Sequence, residues 1–155
     1  MTIQVGDKAP DFTLPSQSGE PVTLNSFEGK WVVLYFYPKD DTPGCTAESC
    51  AFRDNYDVFR EAGAEVIGIS GDSPDSHQKF AARYNLPFTL VSDTNNQVRK
   101  AFGVPNAMLF LPGRVTYVID PEGIVRHSFN SMMDFKAHVD EALKVLRQSR
   151  QSTLN

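Results

Sequence analysis

"WVVLYFYPKDDTPGCTAESC", residues 31 to 50, decides how the rest of the chain is read. Its first seven residues are continuously apolar and rich in β-branched and aromatic side chains. That is the composition of a strand buried on both faces. The stretch then turns to helix chemistry. Thr42 is a good N-cap, and Pro43 fits N1, where its missing N–H is no loss. The pattern predicts a helix from about Thr42 to Ala62, with Gly63 as its C′ residue.

Working outward, "AEVIGIS" (64–70) reads as a second buried strand. "SPDSHQKFAARYN" (73–85) reads as a helix with Ser73 as N-cap and Pro74 at N1. "FTLVSD" is a short strand, and "NNQVRKAFG" a short helix ending at Gly103. "RVTYVID", the turn "PEG" and "IVRHSFN" predict a β-hairpin. The final helix carries Phe135, Val139, Ala142, Leu143 and Leu146 on one face. Before all of these, "FTLPSQSGEPVTL" predicts two short strands around a Ser-Gly-Glu-Pro turn. The order strand–helix–strand–helix, then hairpin, then helix, predicts an α/β fold with a mixed central sheet flanked by helices. In such folds chemistry gathers beyond the carboxyl end of a central strand. "YPKDDTPGC" follows the first long strand at that position.

The chain has 155 residues, enough for one domain with a full core, so residues 1–155 are expected to form a single domain. Nineteen acidic against fifteen basic side chains give a net charge of −4, which argues against nucleic acid or an anionic membrane as the main partner. The locally basic tail "KVLRQSRQ" reads as a solvated helix end. No run approaches the roughly 20 apolar residues of a membrane span. "MTIQVGDKAP" lacks the basic and apolar regions of a secretory signal. The expected location is the cytoplasm, or a plastid where a transit peptide had been removed.

Cys45 and Cys50 are the two cysteines of the chain. Two thiols are too few for a secreted disulfide scaffold. Cys45 falls at N3, where the macrodipole and free N–H groups of a first helical turn favour a thiolate over a thiol. Asp40 and Asp41 oppose this and Lys39 supports it. At 100° per residue, Cys45, Ser49, Phe52, Tyr56 and Phe59 share about 80° of arc, so Cys45 points inward. Cys50 lies about 140° away, near Arg53, Asp54 and Asp57. In an ideal helix, positions i and i+5 have Cα atoms roughly 8.7 Å apart. A disulfide needs about 4.4–6.8 Å. Either the two cysteines never pair, or the first turns of the helix unwind when they do. A zinc pair lacks a matching second pair. The C-x-x-C of a thioredoxin-type site is absent, and "GISGDS" is not a dinucleotide fingerprint. His77, His127 and His138 are spread over three elements and read as surface or satisfied histidines.

"YPKDDTPGCTAESC" resembles the active-site segment of the peroxiredoxins, whose P-x-x-x-T-x-x-C signature is met by Pro38, Thr42 and Cys45. Glu48 and Cys50 make it similar to the peroxiredoxin Q subfamily, also called bacterioferritin comigratory protein. The resemblance extends through "GDKAPDFTLPSQSGEPVTL", "VIGISGDSPDSHQKFAARYNLPFTLVSD" and "GRVTYVIDPEGIV". It implies a thioredoxin-like fold with an N-terminal β-hairpin extension, and a thiol peroxidase without a cofactor or metal. It further implies a peroxidatic Cys45 that attacks hydrogen peroxide or an organic hydroperoxide, and a resolving Cys50 that closes an intramolecular disulfide. Thioredoxin or a similar dithiol protein would reduce that bond. Thr42, the Cys45 backbone N–H and Arg114 are the implied donors to the departing oxygen. Pro38 would shield the sulfur, and Glu48 would anchor Arg114. An intramolecular resolving cysteine removes the chemical need for a dimer, so a monomer is expected. Two other functions share the two thiols: a protein thiol–disulfide oxidoreductase, and a redox sensor whose disulfide only changes its shape.

Overall fold

The apolar run that starts at Trp31 forms strand β3 (Trp31–Phe36), the centre of a five-stranded sheet. The computed structural model describes residues 3–105 and 113–154, so the expected single domain over 1–155 includes short segments outside the described residues. The sheet order is β5-β4-β3-β6-β7. β4 (Ala64–Ser70) runs parallel to β3, and β5 (Thr89–Ser92) parallel to β4. β6 (Val115–Ile119) is antiparallel to β3, and β7 (Val125–Asn130) closes the expected hairpin beside it. The mixed sheet follows from the connections. Helical crossovers leave β3, β4 and β5 parallel, while a tight turn forces β7 back on β6.

Side-chain alternation along β3 divides the core into two layers. Val33, Tyr35 and Tyr37 pack with Phe52, Phe59, Phe80, Val139, Leu143 and Leu146. These come from α1 (Pro43–Asp54), α2 (Tyr56–Glu61), α3 (Pro74–Tyr84) and α5 (Phe135–Leu154). Val32, Leu34 and Phe36 face the other way, against Phe102 of α4 (Gln97–Phe102) and Ala9, Phe12 and Leu24 of the N-terminal segment. Tyr35, Phe36 and Phe52 are wholly buried. Each such side chain contributes about 1.5–3 kcal/mol by leaving water. The N-terminal extension is the short hairpin of β1 (Thr13–Pro15) and β2 (Pro21–Thr23). Isolated bridges, Ser16 to Val91 and Lys8 to Ile124, tie the N-terminal segment to both sides of the sheet.

Three helix ends match their sequence signals. The Ser73 side chain caps α3 by accepting from the Ser76 N–H at 3.1 Å. Gly63 and Gly103 adopt the left-handed conformation that ends α2 and α4. One expectation is corrected: the helix predicted over 42–62 is two helices, broken at Asn55. The Asn55 side chain donates to the Ala51 carbonyl at 2.8 Å, taking the acceptor its own N–H would use in a continuous helix. That N–H bonds Phe52 O instead, at 3.2 Å, and the chain restarts as α2. Short polar side chains compete with helical bonds in this way.

Candidate active site

The site lies where β3 runs out. Tyr37 is followed by a five-residue loop, Pro38 to Thr42, and then by α1. Asp40 clamps the loop. Its carboxylate accepts from Tyr37 Oη and from Ser76 Oγ (2.9 Å), and lies 2.6 Å from His77 Nδ1. Its backbone N–H donates to Asp72 Oδ2 at 2.8 Å. Asp41 takes a left-handed φ of 60°, costly for a residue with a Cβ, and its carboxylate is held by Arg83 and Tyr84 Oη. Both acids therefore point their charge into partners on α3, leaving the first turn of α1 without an adjacent free carboxylate. Among the described residues, Asp40, Asp72 and His77 also form the one group whose donor atoms lie close enough to share a metal, within 4.8 Å. The hydrogen bonds just described already engage these donors, so the group acts as a brace for the loop.

Thr42 occupies the N-cap backbone position, but its side chain caps nothing. Oγ1 donates to the Lys39 carbonyl at 3.0 Å, which corrects the expected capping bond. The unbonded N–H groups of the first turn thus keep their polarity for another acceptor. Cys45 sits there at N3, 1% exposed, with Ser49, Phe52 and Phe59 buried on the same face. Cys50 lies on the half-buried side, and both thiols are free. The helix is unbroken between them, so they cannot bond in this conformation.

Arg114 comes from just before β6 and meets Cys45 across 69 residues of chain. Nη2 lies 3.4 Å from Sγ, Nη1 donates to Glu48 Oε1 at 2.7 Å, and Nε donates to Met132 O at 3.2 Å. The guanidinium stacks on the Phe135 ring, 4.9 Å from its centroid. All its faces are thereby fixed, and the side chain is nearly fully buried. Burial alone would lower its pKa, but the Glu48 carboxylate and the Cys45 sulfur outweigh that and raise it. Glu48 is completely buried, and desolvation raises its carboxyl to about 7 against the opposing pull of Arg114. Gly44 has a steric reason: a Cβ there would stand 2.8 Å from Phe135 Cζ and 3.2 Å from Arg114 Nη2. Pro38 is half-buried at the loop start.

Two contributors escape sequence reasoning. Arg99 of α4 is buried and donates to Gly113 O (2.9 Å) and Tyr37 O (3.1 Å), bracing the residue before Arg114 and the end of β3. Its signal is a cation three residues before Phe102, on the apolar side of a short helix. His138 lies on the buried face of α5, behind Glu48. His77 and His138 are indeed satisfied histidines, both wholly buried, while His127 pairs with Glu141 nearer the surface.

A buried cysteine in a first helical turn, under an arginine locked to a glutamate, is a site for a nucleophilic thiol and a developing oxyanion. A profile of the AhpC/TSA family matches residues 5–128. The chain belongs to that family. Within it the kinship is to peroxiredoxin Q. The chain is 55% identical over 146 residues to "Peroxiredoxin Q, chloroplastic" of Sedum lineare, covering 94% of this chain and 78% of that protein. Among solved structures, peroxidoxin BcpB of Mycobacterium tuberculosis superposes with a TM-score of 0.87 at 39% identity, covering 94% and 97% of the two chains. The bacterioferritin comigratory protein of Xanthomonas campestris, described for its alkyl peroxide reduction activity, superposes at 0.85 with 33% identity, covering 95% and 97%. The thioredoxin-like fold and the thiol-dependent peroxidase activity follow from this membership. No helix among the described residues is long and apolar enough to cross a membrane.

Proposed function

We propose that Cys45 is the peroxidatic cysteine and Cys50 the resolving cysteine of a thioredoxin-recycled peroxidase, acting as a monomer built as one thioredoxin-like domain. The observation that carries the assignment is the 3.4 Å approach of Arg114 Nη2 to the buried Cys45 Sγ at the start of α1. The Cys45 thiolate attacks one oxygen of a hydroperoxide. The S–O bond forms as the O–O bond breaks, sulfur is oxidised by two electrons, and the departing oxygen takes up one proton to leave as water or an alcohol. Arg114 and the first-turn N–H groups stabilise the charge moving onto that oxygen. Glu48 holds Arg114 in place, and Pro38 limits water at the sulfur. The Thr42 hydroxyl, expected as a donor to the departing oxygen, instead directs its one proton to Lys39 O and so offers lone pairs to the hydroperoxide O–H. Cys50 then displaces the sulfenic oxygen as water, giving a disulfide. The geometry of α1 requires the helix to open first. Exchange with a dithiol restores both thiols.

Hydrogen peroxide and organic hydroperoxides are the substrate class, supported for the latter by the activity named for the Xanthomonas relative. The location in keeping with this reading is a compartment that holds thioredoxin, the cytoplasm or a plastid; the Sedum relative is chloroplastic by name. The test is steady-state consumption of hydrogen peroxide and tert-butyl hydroperoxide with thioredoxin, thioredoxin reductase and NADPH, alongside light scattering in both redox states. Sustained turnover by a monomer is expected. Oxidation without turnover would instead mark a sensor, and insulin reduction without peroxide consumption an oxidoreductase.

A further inference from the structure

Glu48 uses only one of its two oxygens on Arg114. Oε1 accepts from Nη1, while Oε2 is buried without a hydrogen-bond partner. What faces Oε2 is His138 Nδ1, 3.5 Å away, with both side chains wholly buried. The imidazole is fixed at both ends. Nε2 lies 2.7 Å from Ser131 O and so carries a proton, and Nδ1 lies 2.7 Å from Thr116 Oγ1. The ring also meets Phe129 edge-to-face at a centroid distance of 4.8 Å, a third contact that holds its orientation. With Nε2 protonated, the single lone pair of Nδ1 takes the Thr116 hydroxyl, so the ring offers Glu48 Oε2 no proton and an ionised carboxylate would stand there as an unpartnered buried anion. One proton, on Glu48 or on His138, leaves the pair neutral overall.

We infer that His138 is a positioning residue for the Cys45 reaction: with Glu48 it holds one exchangeable proton that decides whether Arg114 faces one buried anion or two. With the proton in place, the full charge of Arg114 serves the sulfur and the departing oxygen. Without it, Glu48 competes for the same guanidinium, and the reaction slows. The charged and titratable groups facing the pair are Arg114 before β6, Cys45 on α1, Tyr35 on β3 and Asp134 before α5. Of these only Arg114 is a cation; Arg99 of α4 acts on the Cys45 sulfur but is not among the groups that shift Glu48 or His138. The directions agree. Burial raises the Glu48 carboxyl, and burial, reinforced by Arg114, lowers the His138 imidazole, which puts the proton on the Glu48 side.

This inference rests on Cys45 being the peroxidatic residue, and its test separates the two claims. The first arm is the single-turnover rate of Cys45 oxidation by hydrogen peroxide from pH 5.5 to 9. The reduced wild-type protein should show a falling limb at high pH, with a loss of about tenfold, the ratio equivalent to one pKa unit of coupling. Glu48→Gln should abolish the limb, and His138→Asn should move its midpoint. Equal limbs in wild type and His138→Asn would reduce His138 to a structural role. The second arm needs no variant. In labelled wild-type protein, the Glu48 carboxyl carbon and the His138 ring nitrogens should titrate together at the midpoint of that limb. A Glu48 carboxylate already ionised at pH 5.5 beside an unchanging His138 would overturn the shared proton, even if His138→Asn failed to fold. Absence of any Cys45 oxidation would refute the nucleophile assignment and leave the titration arm to judge the proton.

Discussion

Replacing Glu48 by glutamine should flatten the dependence of stability on pH. The glutamine keeps a carbonyl for Arg114 Nη1 and removes the ionisable proton. In the folded protein the carboxyl is raised from an ordinary 4.5 to about 7, chiefly by desolvation. Below 4.5 the folded and unfolded chains both hold the proton, and stability is full. Between those values the folded chain holds it and the unfolded chain does not, so stability falls as pH rises through 7. The whole span corresponds to about 3 kcal/mol, of which about 2 kcal/mol falls between pH 5.5 and 8.5. Urea unfolding of both reduced proteins across that range, read as free energy at each pH, measures it. The difference between variant and wild type should move by about 2 kcal/mol in favour of Glu48→Gln from the acid to the alkaline end. Parallel curves, within about 0.5 kcal/mol, would mean that Glu48 ionises as it does in water, and the argument from its burial would fail.

Arg114→Ala should lower the rate constant for peroxide by about 10²-fold, the usual loss of one charge-stabilising donor, with circular dichroism unchanged. A stopped-flow change under threefold would make Arg114 a structural ion pair only. Amide exchange in the oxidised protein should lose protection over residues 44–51 and keep it in α2, because the Asn55 break isolates the opening segment. Equal protection in both redox forms, with the disulfide confirmed by mass, would rule out unwinding. Gly44→Ala should slow peroxide reduction by pushing Phe135 against Arg114, and a second change, Phe135→Leu, should restore most of the rate. A double variant no faster than Gly44→Ala would place the defect elsewhere.

The central strands were legible in the sequence because short apolar runs rich in β-branched and aromatic residues mark strands buried on both faces: β4 occupies the residues read for it, and β3 ends one residue short. The inward direction of Cys45 was legible for the same reason, as a matter of helical period. The break at Asn55 was not, since it turns on one rotamer taking one carbonyl. Nor was the balance of Asp40, Asp41 and Lys39. Charge near a helix start matters only by where it points, and here α3 draws both acids away. Arg114 entered through the resemblance to a known signature. The geometry around it joins α1, β6 and α5 across separations of 66 and 69 residues, which no local pattern encodes. Arg99 went unread, and His138 was read only as a surface or satisfied histidine, because a cation or an imidazole on an apolar helix face gains its meaning only from the element packed against it.

The central claim is that Cys45 reacts with the hydroperoxide and Cys50 resolves the product. Intact-mass and peptide measurements after one equivalent of hydrogen peroxide, on wild type, Cys45→Ser and Cys50→Ser, test it most directly. Wild type should lose two hydrogens and link Cys45 to Cys50. Cys50→Ser should gain one oxygen on Cys45 while consuming one equivalent, and Cys45→Ser should leave the peroxide untouched. Peroxide consumption by Cys45→Ser, with the oxygen found on Cys50, would contradict the account.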